Sequence, residues 1–250
     1  MTSNWHERFA QQSKWTRSIR DYLLKDIPLS ANSVVLEIGS GTGVIISEIA
    51  DRFNCFSVGL DIDFSSLKMS TRNFSNVALL QADANSTALN LNSFDLVFCH
   101  YFLMWLAHPE IAVQEILRLL KPGGYFIVFA EPDYHSRIDY PAPLVKLGTM
   151  QTKALARQAA DVGIGRKLPQ LLLQVGLNLV KFGSIGYEKP KPGIPPWWET
   201  EWQMIKHDLD SIDSTQDLSP YIEIDRQSWL KGDRLLYVPT YYAVACKPIN

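Results

Sequence analysis

The chain has 250 residues, 20% of them charged, and a net charge of -2. That length can bury a full core in one domain with a decorated edge, and the near-neutral balance leaves no basic footprint for nucleic acid. Cys55, Cys99 and Cys246 are too few and too scattered for a disulfide framework or a zinc site, so no metal is expected and a reducing, cytoplasmic setting is. In chain order, the first residues show no signal-peptide apolar run, and residues 5–25 read as one helix. Trp5, Phe9, Trp15, Ile19, Tyr22 and Leu23 fall on one side of it, with Arg8, Lys14, Arg17 and Arg20 interspersed. A buried strand follows at 34–38 and ends in Gly39, Gly41 and Gly43, after which 44–53 reads as a helix. The dinucleotide fingerprint needs its third glycine where Val44 stands, so this loop suits a nucleoside cofactor without a pyrophosphate. A second strand, 55–60, ends at Asp61, which lies where doubly wound folds place a ribose-binding acid. Asp63 is a candidate cap for a helix at 64–72.

A third strand at 77–81 leads into Ala82-Asp83-Ala84, a fourth at 95–99 into His100, and a fifth at 125–130 into Glu131. Together, Leu36-Glu37-Ile38-Gly39-Ser40-Gly41-Thr42-Gly43, Gly59-Leu60-Asp61, Gln81-Ala82-Asp83-Ala84, Phe94-Asp95-Leu96-Val97-Phe98 and Leu120-Lys121-Pro122-Gly123-Gly124 resemble the ordered motifs of class I S-adenosylmethionine (SAM)-dependent methyltransferases. The resemblance covers residues 34–130 and is to the small-molecule, type 11 branch. It implies an α/β, Rossmann-like, doubly wound seven-stranded sheet, mostly parallel with an antiparallel last strand. It also implies an N-terminal helix and a helical insertion between strands six and seven. For the cofactor it implies contacts from Glu37, Gly39, Ser40, Gly41, Gly43, Asp61, Ile62, Asp83, Ala84, Cys99 and His100. Asp83 would accept from the adenine amine and the Ala84 N–H would donate to a ring nitrogen. The first helix would close the pocket, with Trp5, Gln11, Trp15 and Arg17 as candidate contacts.

The fourth strand is almost wholly apolar, as a central parallel strand should be. Because ligands bind beyond the carboxyl ends of such strands, His100, Tyr101 and Trp105 are placed to face cofactor or acceptor. His100 reads either as a base, with an ordinary pKa near neutrality, or as a hydrogen-bonded wall. A helix at 109–120 follows, stopped by residues 121–124. The stretch after the fifth strand, 131–141, is the densest in chemistry. Glu131 and Arg137 are candidates for substrate binding with Tyr101 and Trp105, and Asp133, Tyr134, His135 and His100 for catalysis. Its other reading is a self-satisfied network in which Arg137 pairs with Asp133 or Asp139. A similar Glu-Pro-Asp-Tyr stretch followed by Arg-Ile-Asp-Tyr-Pro occurs in type 11 methyltransferases.

Helices are expected at 144–160 and 168–175, a sixth strand at 179–185 and the seventh at 237–247. Between those strands, Lys189-Pro190-Lys191-Pro192-Gly193-Ile194-Pro195-Pro196 reads as a stiff linker. An amphipathic helix with Trp197, Trp198, Trp202, Met204, Ile205 and Leu209 follows it. Acids, including Glu199, Glu201, Asp208, Asp210 and Asp213, dot this insertion. The tryptophans suit core, lid or a homodimer face. The expected organisation is a single domain, 1–250: helical cap 1–30, Rossmann-like core 31–187 and 234–250, insertion or lid 188–233.

The first reading is therefore a SAM-dependent methyltransferase acting on a small-molecule acceptor, with no nucleic-acid or membrane partner. Methyl transfer from a sulfonium is an in-line displacement, which the protein assists by positioning, by a base for hydroxyl acceptors, and by aromatic faces such as Tyr101, Trp105 and Tyr134. An NAD(P)-dependent oxidoreductase, against which Val44 argues, and a non-catalytic SAM-binding module are the alternatives.

Overall fold

Along β1 (Val34–Ile38), β4 (Phe94–Cys99), β5 (Leu120–Pro132) and β9 (Thr240–Cys246), successive buried side chains point to opposite faces of one sheet. The computed structural model describes residues 2–73, 76–187, 191–210 and 216–249, with side chains outside 2–5 and 71–73. Val35, Leu96, Phe98, Ile127, Phe129 and Val244 meet α2 (Arg17–Leu24) and α3 (Val44–Phe53) on one face. Leu36, Val97, Cys99, Phe126, Val128 and Ala245 meet α5 (Pro109–Leu119) and α7 (Ile164–Val175) on the other. Strands buried on both faces read as continuous apolar runs, which is why the sequence signals them so clearly.

With β2 (Phe56–Asp61), β3 (Ala78–Gln81) and β7 (Asn178–Ile185), the sheet has seven strands in the order β3-β2-β1-β4-β5-β9-β7. Only β9 runs antiparallel to its neighbours. The chain reverses its winding between β1 and β4, so the ends of these two strands open a crevice.

Four expectations are corrected. Residues 5–25 form two helices, α1 (Thr2–Trp15) and α2, broken at Thr16, whose φ of -103° and ψ of 6° leave the helical region. Trp5's side chain, residues 188–190 and Asp213 lie outside the described parts. Residues 131–141 are not a free loop: Glu131 and Pro132 belong to β5, and β6 (Ile138–Tyr140) pairs with β8 (Leu235–Tyr237) in a second, two-stranded sheet. The last strand is therefore split at residues 238–239, with β8 and β9 in different sheets. Finally, the insertion holds two helices, α8 (Trp198–Asp210) and α9 (Ser219–Lys231). Trp202, Ile205, Leu209 and Tyr221 pack there on Leu144, Leu147 and Ala154 of α6 (Pro143–Arg157), forming a core separate from the sheet. Pro220 near the start of α9 and Gly232 at its end, with φ of 73°, were the sequence signals that could have revealed it.

Candidate active site

One cleft of about 1280 Å³ lies over the carboxyl ends of the strands. The glycine loop forms its floor. Gly39 and Ser40 donate their N–H groups to the Leu60 carbonyl at 2.8 and 2.9 Å, which lays the loop over the end of β2. Gly39 and Gly41 have φ of 71° and 52°, a region that costs a residue with a Cβ about 1–2 kcal/mol. A Cβ at Gly39 would also enter the ring of Phe102, and one at Gly41 would stand 2.9 Å from Phe9. Gly43 caps α3 with φ of 77° and does not line the cleft.

The strand tips supply the acceptors. Asp61 takes the Gly41 N–H on one oxygen at 2.7 Å and the Asp63 N–H on the other at 2.9 Å, which fixes both oxygens at the cleft wall. Asp83 is held by the Asn85 N–H at 2.9 Å and lines the cleft with Ala84 and the exposed Ile62. Glu37 lies beneath, accepting the Ile46 N–H at 2.9 Å. Burial raises its carboxyl well above the usual range, against the opposing pull of that N–H and of Arg20. These residues fit an adenosyl amino acid: a bare loop for the backbone approach, a two-oxygen acceptor for a diol, and a second carboxylate for an amine. Cys99 is different: its thiol is buried in the core, outside the cleft lining.

His100 lines the cleft with Nε2 at 2.9 Å from Thr16 Oγ1, and Arg20 donates to the same hydroxyl at 2.8 Å. Burial first, and the Arg20 charge second, push its pKa down to about 3. A neutral ring so reluctant to take a proton is a wall and a hydrogen-bonding group, not a base poised near neutrality. Tyr101, with φ of 50°, stands edge-on to it at 4.5 Å between ring centroids and lines the cleft with Trp105. Burial raises the phenols of Tyr101 and Tyr134, the latter to about 12.

The residues of 131–141 are separated by the fold. Glu131 is fully buried outside the cleft lining and accepts the N–H groups of Phe102, Leu103 and Met104 at 2.8, 2.7 and 3.3 Å. It holds the turn that carries Trp105. Asp133 is buried against Arg166, 2.6 Å from its Nε, and His135 is exposed; neither lines the cleft. Tyr134 and Arg137 do. The guanidinium of Arg137 donates to Asp139 at 2.6 Å and to Gln151 at 2.5 Å. Arg234 continues the chain, donating to Asp139 at 2.8 Å and to Asp225 at 2.6 Å, and Asp225 also accepts the indole N–H groups of Trp198 and Trp202. This buried network joins the stretch after β5 to the helical layer.

The roof was not legible in sequence. Trp15 lines the cleft, whereas Arg17 is exposed outside it and Gln11 is set back from it. Arg8 donates to Glu201 of α8 at 2.6 Å, and Trp15 meets Trp197 edge-on at 5.8 Å, so the N-terminal helix and the insertion close on each other across the opening. Arg8, Phe9, Thr16, Gln151, Tyr187 and Tyr237 are lining residues that sequence reasoning passed over. For Arg8, Phe9 and Gln151 only the 3.6-residue phase of their helices bears on this, and Tyr187 and Tyr237 lie outside any helix.

Comparisons agree with this geometry. The type 11 methyltransferase domain family matches residues 36–128. A malonyl-[acyl-carrier protein] O-methyltransferase of Marinomonas sp. (strain MWYL1) is 30% identical over 126 residues, 48% of this chain and 46% of that protein. The chain spans about half the length, or less, of the curated relatives it matches. Among solved structures, phosphoethanolamine N-methyltransferase 2 of Haemonchus contortus, in complex with phosphomonomethylethanolamine and S-adenosylhomocysteine, has a TM-score of 0.61 at 17% identity. The match covers 93% of this chain and 52% of that one. The [4+2]-cyclase SpnF shares the fold at a TM-score of 0.59 and 17% identity, covering 94% and 81%. No helix among the described residues is long and apolar enough to cross a membrane. The ordered motifs, the domain match over residues 36–128 and this sheet agree, so that this stretch of the chain carries a class I SAM-dependent methyltransferase domain.

Proposed function

We propose that the protein binds SAM in this cleft and transfers its methyl group to a small-molecule acceptor held in the same space. The observation that carries the reading is convergence: the glycine loop after β1, Asp61 after β2 and Asp83-Ala84 after β3 line the same cleft, while side chains from the N-terminal helix, the insertion and the stretches after β4, β5 and β7 line the rest. The bound sulfonium supplies an electrophilic methyl group. The chain's own part is to hold both partners and exclude water. Asp61 receives the ribose diol, Asp83 and Ala84 the adenine edge, and Gly39, Ser40 and Gly41 the amino-acid portion. His100, neutral and anchored by Thr16, fixes the wall near Tyr101. The Arg8–Glu201 and Trp15–Trp197 contacts shield the opening, and such positioning can lower a barrier by up to roughly 7–11 kcal/mol.

In this proposal the general-base role is withdrawn from His100, His135 and Asp133, and Glu131 and Cys99 have structural roles. A cytoplasmic location, the single-domain division and a homodimer rest on the sequence alone.

Calorimetry with SAM and with S-adenosylhomocysteine tests the reading. Binding of both is expected, and Asp61→Ala should weaken it at least about tenfold, since a charge-assisted pair of hydrogen bonds is lost. Absence of binding at millimolar ligand would end it.

A further inference from the structure

The cleft exceeds what one ligand needs: about 1280 Å³, against roughly 300–1,000 Å³ for typical ligand sites. Away from the glycine loop and the strand tips, its walls are aromatic, with Trp15, Trp105, Trp197, Tyr187 and Tyr237. The face of α8 that carries Glu201, Met204 and Asp208 completes them. Those three recur at helical spacing, while Trp202, Ile205 and Leu209 turn into the helical core. The helix is therefore fixed with two carboxylates toward the cleft.

The balance of charge in the lining is one-sided. Arg8 and Arg137 stand against Glu37, Asp61, Asp63, Asp83, Glu201 and Asp208. Even leaving aside Glu37, whose carboxyl burial pushes well up, acids outnumber guanidinium groups. Both arginines are already matched, Arg8 by Glu201 and Arg137 by Asp139, each at 2.6 Å. Among the described lining residues, an anionic acceptor would thus meet carboxylates and no arginine or lysine left to receive it. Asp208 accepts from the Gln151 amide at 2.9 Å and also from Gln158, has His207 nearby, and is raised in pKa by burial.

A hydroxyl acceptor needs a base to take its proton. His100 is held near 3 and Tyr134 near 12, so neither offers one. An amine needs only to arrive with its lone pair free. Aromatic faces attract its ammonium form by roughly 0.5–2 kcal/mol each, and carboxylates add charge-assisted hydrogen bonds.

We infer that the methyl acceptor is a primary or secondary amine on a hydrophobic body, drawn in between the aromatic walls and steered by Glu201 and Asp208. This rests on the methyltransferase reading of the cleft. The ammonium gives one proton to solvent before reaction, and the neutral amine keeps an N–H directed at the Asp208 carboxylate. The freed nitrogen lone pair then forms the N–C bond to the sulfonium's methyl carbon, and the C–S pair goes to sulfur. The products are a methylated ammonium ion and a neutral thioether.

The test is calorimetry on the full chain saturated with S-adenosylhomocysteine, using three probes of one shape: phenethylamine, 2-phenylethanol and phenylacetate. Phenethylamine should bind at least about tenfold more tightly than either isostere. Asp208→Asn should shrink that ratio to within about threefold, with the affinity for S-adenosylhomocysteine unchanged. Glu201→Gln provides a second variant should the first fail to fold, and it should shrink the ratio in the same way. Binding of S-adenosylhomocysteine with no preference for the amine, including no binding of any probe, overturns the amine assignment and leaves the methyltransferase reading standing. A preference that survives both substitutions also overturns it. No binding of S-adenosylhomocysteine would instead overturn the parent reading.

Discussion

Asp225→Ala removes the carboxylate on which the helical layer converges. Asp225 is 5% exposed and receives Arg234 at 2.6 Å, Trp198 at 2.6 Å and Trp202 at 3.0 Å. Alanine leaves the buried Arg234 with Asp139 as its remaining carboxylate and strands two indole N–H groups. Breaking a buried ion pair from one side costs about 3–5 kcal/mol, and each stranded donor about 1 kcal/mol more. Since all three donors share one acceptor, the terms overlap, and a total of about 4–6 kcal/mol is expected. At about 2–4 °C per kcal/mol for a chain of this size, Tm should fall by at least about 8 °C in differential scanning calorimetry. Asp225→Asn keeps an acceptor oxygen and should fall between alanine and the parent. The glycine loop, Asp61 and Asp83 belong to the sheet, not the helical layer, so affinity for S-adenosylhomocysteine should stay within about twofold. A Tm loss under about 3 °C would refute the claim that this network holds the roof to the sheet.

Glu131 titrates at about 7 because burial outweighs its three N–H donors. In the unfolded chain it titrates near 4.5, so the folded state holds the extra proton and stability from this group is full below pH 4.5 and lost as pH rises through 7. Glu131→Gln should therefore flatten the decline of Tm between pH 4.5 and 7 relative to the parent, and parallel curves would refute the assignment. His135→Ala should leave turnover within about twofold, because that ring is exposed outside the cleft, whereas His100→Ala should lower it at least about tenfold through loss of the wall; equal effects would refute the division. With His100 held near 3, the affinity for S-adenosylhomocysteine should show no limb near pH 6.5, where an ordinary histidine would place one.

The composition of the strands and the order of the motifs made the sheet legible. Doubly buried parallel strands must be apolar throughout, and a turn with glycine at alternate positions announces its backbone before any contact is known. The positions of Asp61 and Asp83 on the cleft lining were legible too, since they are set by where strands end. The stretch 131–141 misled for an equally physical reason. Local sequence displays Glu131, Asp133, His135 and Arg137 as neighbours, yet strand alternation and tertiary hydrogen bonds send the first to cap a turn, the second to Arg166, the third to solvent and the fourth to Asp139. The pKa values were likewise beyond local reading, because burial is a property of the whole packed molecule: His100 near 3 and Glu131 near 7 each follow from elements remote in the chain. The roof lay furthest from sequence. Arg8 and Glu201 are 193 positions apart, and no local pattern records a pairing that only the docking of two distant helices creates.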